Sequence, residues 1–201
     1  MNLRRAHRVL GCIVALFVAL HLVNHAALFW GVEQHLRAQE ILRPIYRNPV
    51  IEPLLLLAFA AQIGVGGRLL IRRGWPRRPW ARLQVISGAV LALFLMQHIS
   101  AAFLTRLLKT EIDTNIFWAA AVVSRIEFAL YFAPYYTLGI FALFLHLAAF
   151  IALRYRNLWG AGAMIVIGGV FSLAIVSALS GAFFQIEFPI QYKTYLDDFW
   201  F

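Results

Sequence analysis

RVLGCIVALFVALHLVNHAALFW (Arg8–Trp30) is a run of 23 residues with one formal charge, Arg8, at its mouth. About 20 mostly apolar residues suffice to cross the hydrocarbon core of a bilayer. The run is too long for the apolar core of a signal peptide, and no small-residue cleavage site follows it, so it reads as a membrane span. Four more stretches qualify, Ile51–Ile71, Leu83–Leu107, Phe128–Leu153 and Gly160–Phe184, and a sixth does not fit. The expected fold is therefore an all-α bundle of five transmembrane helices forming a single domain over residues 1–201. Composition agrees: 62% of the residues are hydrophobic and 13% charged, against roughly 45–50% and 25% in an ordinary soluble domain. The single cysteine, Cys12, excludes an intrachain disulfide and a cysteine-ligated iron–sulfur cluster within this chain.

A net charge of +9 raises the question of nucleic acid, and the placement of the charges answers it. Arg4, Arg5, His7 and Arg8 precede the first span. Arg72, Arg73, Arg77, Arg78 and Arg82 crowd the link between the second and third, and Arg154 and Arg156 join the fourth to the fifth. The remaining links are of mixed charge. All three basic clusters fall on one side of a five-span topology, as expected for cytoplasmic loops. The amino terminus is thus expected in the cytoplasm and the carboxyl terminus outside, with no role in nucleic-acid binding. The links at residues 31–49 and 108–125 have room for short interfacial helices, with Trp30, Phe117 and Trp118 suited to the headgroup region. The aromatic tail from Phe188 to Phe201 is expected on the external surface.

The first and third spans repeat one another. His7–His21 sets against Gln84–His98 at a constant offset of 77, so that Gly11 matches Gly88, Ala15-Leu16-Phe17 matches Ala92-Leu93-Phe94, and His21 matches His98. Ionisable residues inside spans are uncommon and usually functional. His21 lies sixteen residues beyond Arg5, and His98 sixteen beyond Arg82. Both therefore sit about 24 Å from the cytoplasmic face. Two neutral imidazoles at one depth can hold a haem iron from both sides, the ligation found in electron-transfer cytochromes. The glycines ten residues earlier, Gly11 and Gly88, let a neighbouring helix or a flat ring come close.

His146 is eight residues before Arg154 on an inward-running helix, about 12 Å from the cytoplasmic side, so it cannot join the outer pair. At its depth the second span offers Gln62, a poor haem ligand, and the inner site either lacks haem or holds something else. His25, one turn beyond His21 on the same face, faces external water, a quinone or a haem propionate. Arg68 is costly within its span unless it is paired or snorkels to the interface; a partner would be a haem propionate or a phospholipid phosphate. His7 and His35 read as interfacial.

These residues resemble a known family, the cytochrome b membrane anchors of succinate dehydrogenase and fumarate reductase, in their single-chain, five-helix form with two haems. Arg4 to Gly11 and on through His21 to Asn24 is similar to that family's opening helix. Leu83–Gly88 through His98 is similar to the later helix that carries the second outer ligand. The resemblance implies haem b on His21 and His98, quinone as the small-molecule partner, and a flavoprotein and an iron–sulfur protein docked on the cytoplasmic basic face. It further implies residence in a bacterial cytoplasmic membrane. His146 falls where the family places an inner-haem ligand. Gln62 departs from the family, which has a second histidine there, so one haem is expected more readily than two.

The function expected is a haem b membrane subunit passing electrons between a cytoplasmic redox partner and quinone. The chain has no flavin or nucleotide motif and no serine–histidine–carboxylate set, so it reads as a subunit or carrier and not a complete enzyme. Two alternatives stand beside it: a stand-alone membrane cytochrome b, and a haem-free transporter or scaffold of the same fold. Lipid is an expected partner, and a homodimer remains open.

Overall fold

The computed structural model describes residues 2–109 and 111–197. Asp198 and the end of the tail through Phe201 lie outside the described residues. Eight α-helices follow one another, with no strand among the described residues. They are α1 (Leu3–Ala26), α2 (Val32–Tyr46), α3 (Ile51–Arg73), α4 (Pro79–Leu108), α5 (Ile116–Ser124), α6 (Ile126–Tyr155), α7 (Leu158–Leu179) and α8 (Ile190–Asp197). Five of them, α1 with its 3₁₀ extension Ala27–Trp30, α3, α4, α6 and α7, are long and apolar enough to cross a membrane.

Local chemistry sets most boundaries. Asn2 caps α1 by accepting from the Arg4 amide at 3.0 Å, so the helix starts five residues before the expected span. Asn115 caps α5 through the Phe117 amide, and Asn157 caps α7 through the Gly160 amide, the usual work of a short polar side chain on orphan N–H groups. Gly31 at φ 118° turns the chain out of the first span into α2. Gly181 at φ 81° follows the end of α7 at Leu179, five residues short of the expected limit at Phe184. Left-handed backbone of this kind favours glycine.

The long helices run antiparallel to their partners, as the contacts show. On α1 and α3, Gly11 meets Gln62, Gly66 meets His7, and Phe17 meets Phe59. On α4 and α6, Gly88 meets His146, Gly139 meets Phe94, and Gln97 donates to the Tyr131 hydroxyl. On α6 and α7, Gly168 meets Phe144, where small residues such as Ala148, Ala149 and Ala161 let the backbones close up. Large side chains elsewhere on these helices are left outside, Leu16 at 67% and Leu130 at 74% exposure among them. Apolar surface on that scale suits a lipid environment and not water.

The chain therefore forms two units, α1 with α3 and α4 with α6 and α7, related by the repeat. At the basic end, where Arg72–Arg82 lie, the short link between α3 and α4 joins the units. At the opposite end polar contacts bind them: Arg106 to Glu52, and Arg43 and Arg47 on α2 to Asp113 after α4. The core of the fold also sits at that end, around α5. The link at residues 108–125 does hold a short helix, α5, in which Ile116 and Ala119–Val123 are buried and which packs against α6, α7 and α8. Five successive small or branched apolar residues are accommodated better under a neighbouring helix than in headgroups.

Candidate functional site

The repeat brings its two histidines together. The rings of His21 on α1 and His98 on α4 have centroids 6.1 Å apart and planes at 64°. Each imidazole is backed by the phenylalanine four residues earlier. Phe17 stacks on His21 at 5.7 Å and 16°, and Phe94 on His98 at 5.2 Å and 11°. Phe17 and Phe94 are themselves repeat mates. Phe94 is set in turn by Gly139, whose missing side chain leaves room for the ring, and by Tyr135, which donates to the Phe94 carbonyl at 3.1 Å.

The glycines of the repeat have found partners. Where Gly11 lacks a Cβ, the Gln62 Nε2 lies 3.2 Å from the place it would take. Where Gly88 lacks one, the His146 Cε1 lies at 3.2 Å. Gln62 and His146 thus occupy equivalent places, one in each unit. His146 Nδ1 donates to the Gln84 carbonyl at 3.0 Å and lies 3.3 Å from Ser87 Oγ, which leaves its Nε2 as the nitrogen with a free lone pair. Gln62 Oε1 is buried and makes no hydrogen bond among the described residues; the same is true of His7 Nδ1, whose ring lies against Gly66.

Toward the opposite end a larger polar cluster extends the outer pair. His25 Nε2 and His21 Nε2 lie 3.2 Å apart, and the His25 ring is 5.4 Å from that of His35. Asn24 Nδ2 donates to His35 Nε2 at 3.4 Å. His35 is 1% exposed and not interfacial as its position suggested. Burial, and then the positive charge of Arg43, press its pKa from 6.5 down to about 4. Its place follows from a feature legible in hindsight: His35, Gln39 and Arg43 recur every fourth residue, so they share one face of α2, and that face turns inward. Asn24 Oδ1, His25 Nδ1, His35 Nδ1 and two nitrogens of Arg43 are buried here without a hydrogen bond among the described residues. Buried polar atoms in that state call for a partner.

Arg68 is brought to none of these groups. It is exposed, in a surface groove with Gly64, Gly67, Ile71 and Arg72.

No family model, curated protein or solved structure matches the chain. The chemistry of the donors decides what the site can hold. Two imidazoles bound on opposite sides of one metal at about 2 Å per bond have centroids about 6 Å apart, which the His21–His98 spacing meets. In residue type and ring spacing the pair suits a haem iron, with Phe17 and Phe94 backing the rings. The Nε2 of His21 cannot ligate while bonded to His25, so binding through that atom requires His25 to turn away. At the inner level His146 offers a suitable nitrogen, whereas the Gln62 amide does not, and the residues there do not fit a second haem with ligands from Gln62 and His146.

Proposed function

We propose that the chain is a haem b-binding membrane subunit that carries electrons between a flavoprotein and iron–sulfur partner and quinone, in the manner of the succinate dehydrogenase and fumarate reductase anchors. The observation that supports this reading is the His21–His98 pair, its rings 6.1 Å apart and each backed by the phenylalanine of one repeated phenylalanine–histidine element. A haem held there supplies one-electron reduction and oxidation. The residues of the chain do the rest. His21 and His98 provide the axial nitrogens, and Phe17 and Phe94 fix the ring planes and keep water from them. At the outer end Asn24, His25, His35 and Arg43 offer unpaired donors and acceptors to the polar groups of a quinone.

The three arginine-rich clusters make the basic end the cytoplasmic one, in an inner bacterial membrane. That face is where acidic surfaces of soluble partners would dock. Gln62 in place of a histidine keeps the haem count at one.

The test is the haem content of the purified chain by pyridine haemochrome, for wild type, His21→Ala and His98→Ala. One haem per chain, lost in both variants with helicity retained, supports the reading. A wild-type chain that is folded and takes no haem overturns it. The His21–His25 hydrogen bond favours a second reading, a haem-free scaffold or transporter in which the imidazoles pair with each other, and that outcome would bring it forward.

A further inference from the structure

We infer that α3 carries a binding groove for an anionic phospholipid, its phosphate held between Arg68 and Arg72. The two arginines lie one turn apart on α3 and line a shallow, open depression with Gly64, Gly67 and Ile71. Residues 64, 67, 68, 71 and 72 share one helix face by their spacing. No neighbouring helix closes that face: a Cβ placed on Gly64 or Gly67 meets nothing within 4 Å, and Ile71 is 84% exposed. These glycines therefore do not serve packing within the chain.

Arg68 stands five residues before the end of α3 at Arg73, about 8 Å inside it. A cation at that depth on a lipid-facing side is costly unless it is paired or snorkels to the headgroup level. Among the described residues neither Arg68 nor Arg72 makes an ion pair, while the acidic residues that do pair sit mostly at the opposite end. The complement that reaches this depth from the bilayer itself is a phosphodiester. Guanidinium groups take phosphate oxygens in bidentate fashion. The neighbouring Arg73, Arg77 and Arg78 raise the local concentration of anionic headgroups. The occupant is a lipid and not free phosphate because the groove continues along an apolar face. Ala60 and Leu57, the latter 65% exposed, extend the line of the glycines one and two turns further. An acyl chain can lie against the bare backbone at Gly64 and Gly67.

The inference needs only that the helices lie in a membrane, so it stands or falls apart from haem binding. The experiment is native mass spectrometry of the full chain from mixed phosphatidylcholine and phosphatidylglycerol nanodiscs, for wild type, Arg68→Gln/Arg72→Gln and Gly64→Leu. Helicity by circular dichroism and the thermal midpoint in detergent verify that each variant is folded. Wild type is expected to retain one phosphatidylglycerol, and both folded variants to lose it by about tenfold. Gly64→Leu blocks the groove with both arginines in place, so its loss marks the acyl path. Equal retention in all three overturns the inference, as does displacement of the lipid by millimolar inorganic phosphate. Efficient disulfide trapping of two copies through Ile71→Cys in a Cys12→Ser background would also overturn it, since a second copy would then cover the groove.

Discussion

Phe94 occupies the room that Gly139 leaves on α6, and a methyl placed on Gly139 would run into the Phe94 ring. Because Phe94 stacks on His98, the glycine acts on the histidine through one intervening ring. Gly139→Ala is expected to cost about 1–3 kcal/mol, as overpacking does, and to lower the haem bound per chain by moving His98. Gly162→Ala provides the contrast. An added Cβ there meets nothing within 4 Å, so the change should stabilise α7 by about 0.5–1 kcal/mol and leave haem content alone. Thermal unfolding and haem stoichiometry on the two variants check this. A Gly139→Ala protein as stable and as haem-rich as wild type would show that Phe94 does not set the site.

The second prediction uses the hydrogen bond between His21 and His25. If His21 is the ligand, His25→Leu removes a competitor for its Nε2. Haem titrated into the variant should then bind at the same stoichiometry and somewhat more tightly, by the 0.5–1.5 kcal/mol or so that one hydrogen bond contributes net. Loss of the haem in His25→Leu, with retention in His21→Ala, would reassign the ligand to His25.

How much of this was open to reading in the sequence depends on whether the deciding contact is local. Span length and hydropathy are properties of consecutive residues, so all five long helices were legible. The His21–His98 pair was legible because a repeat and a matched depth encode it twice. Gln62 and His146 were placed at one level by the same counting. What α2 faces depends on α1 and on Asp113, far away in sequence, so position alone makes His35 read as interfacial. A short helix in the link at residues 108–125 is legible from its composition, whereas the burial of Ala119–Val123 depends on α6, α7 and α8 and so on the fold. Gly11 and Gly88 were recognised as close-approach points, and only the fold could show that Gln62 and His146 do the approaching.

Asp113 is the subject of a third prediction. Its carboxylate pairs with Arg43 at 2.8 Å and Arg47 at 3.6 Å, and its carbonyl accepts from the Tyr192 hydroxyl at 2.9 Å. One residue thus ties α2 and α8 to the loop after α4. The carboxylate is 42% exposed, so solvent screens the pairs and their full Coulomb value does not apply. Asp113→Asn is expected to cost about 1–2 kcal/mol, mainly by leaving two half-buried arginines without a counter-charge. The wild-type advantage in thermal midpoint should shrink at high salt, where exposed charges are screened. A difference independent of salt would mean that the side chain acts through packing and not charge.

The last prediction concerns acid. His35 has its pKa pressed from 6.5 to about 4 by burial and by Arg43, so the folded chain keeps it neutral. In the unfolded chain it takes up a proton near its ordinary pKa. Between these two values the unfolded state binds more protons than the folded one, and stability rises with pH there. The contribution is therefore complete above about pH 6.5 and is lost as the pH falls toward 4. A gap of that size amounts to about 3 kcal/mol at about 1.4 kcal/mol per unit. His35→Gln carries no titratable group, so its thermal midpoint should fall less steeply than that of wild type between pH 7 and pH 4.5, with the slopes differing by close to one proton. Two parallel curves would mean that His35 gains its proton in the folded chain as readily as in the unfolded one, and that the α2 face does not seal it from water.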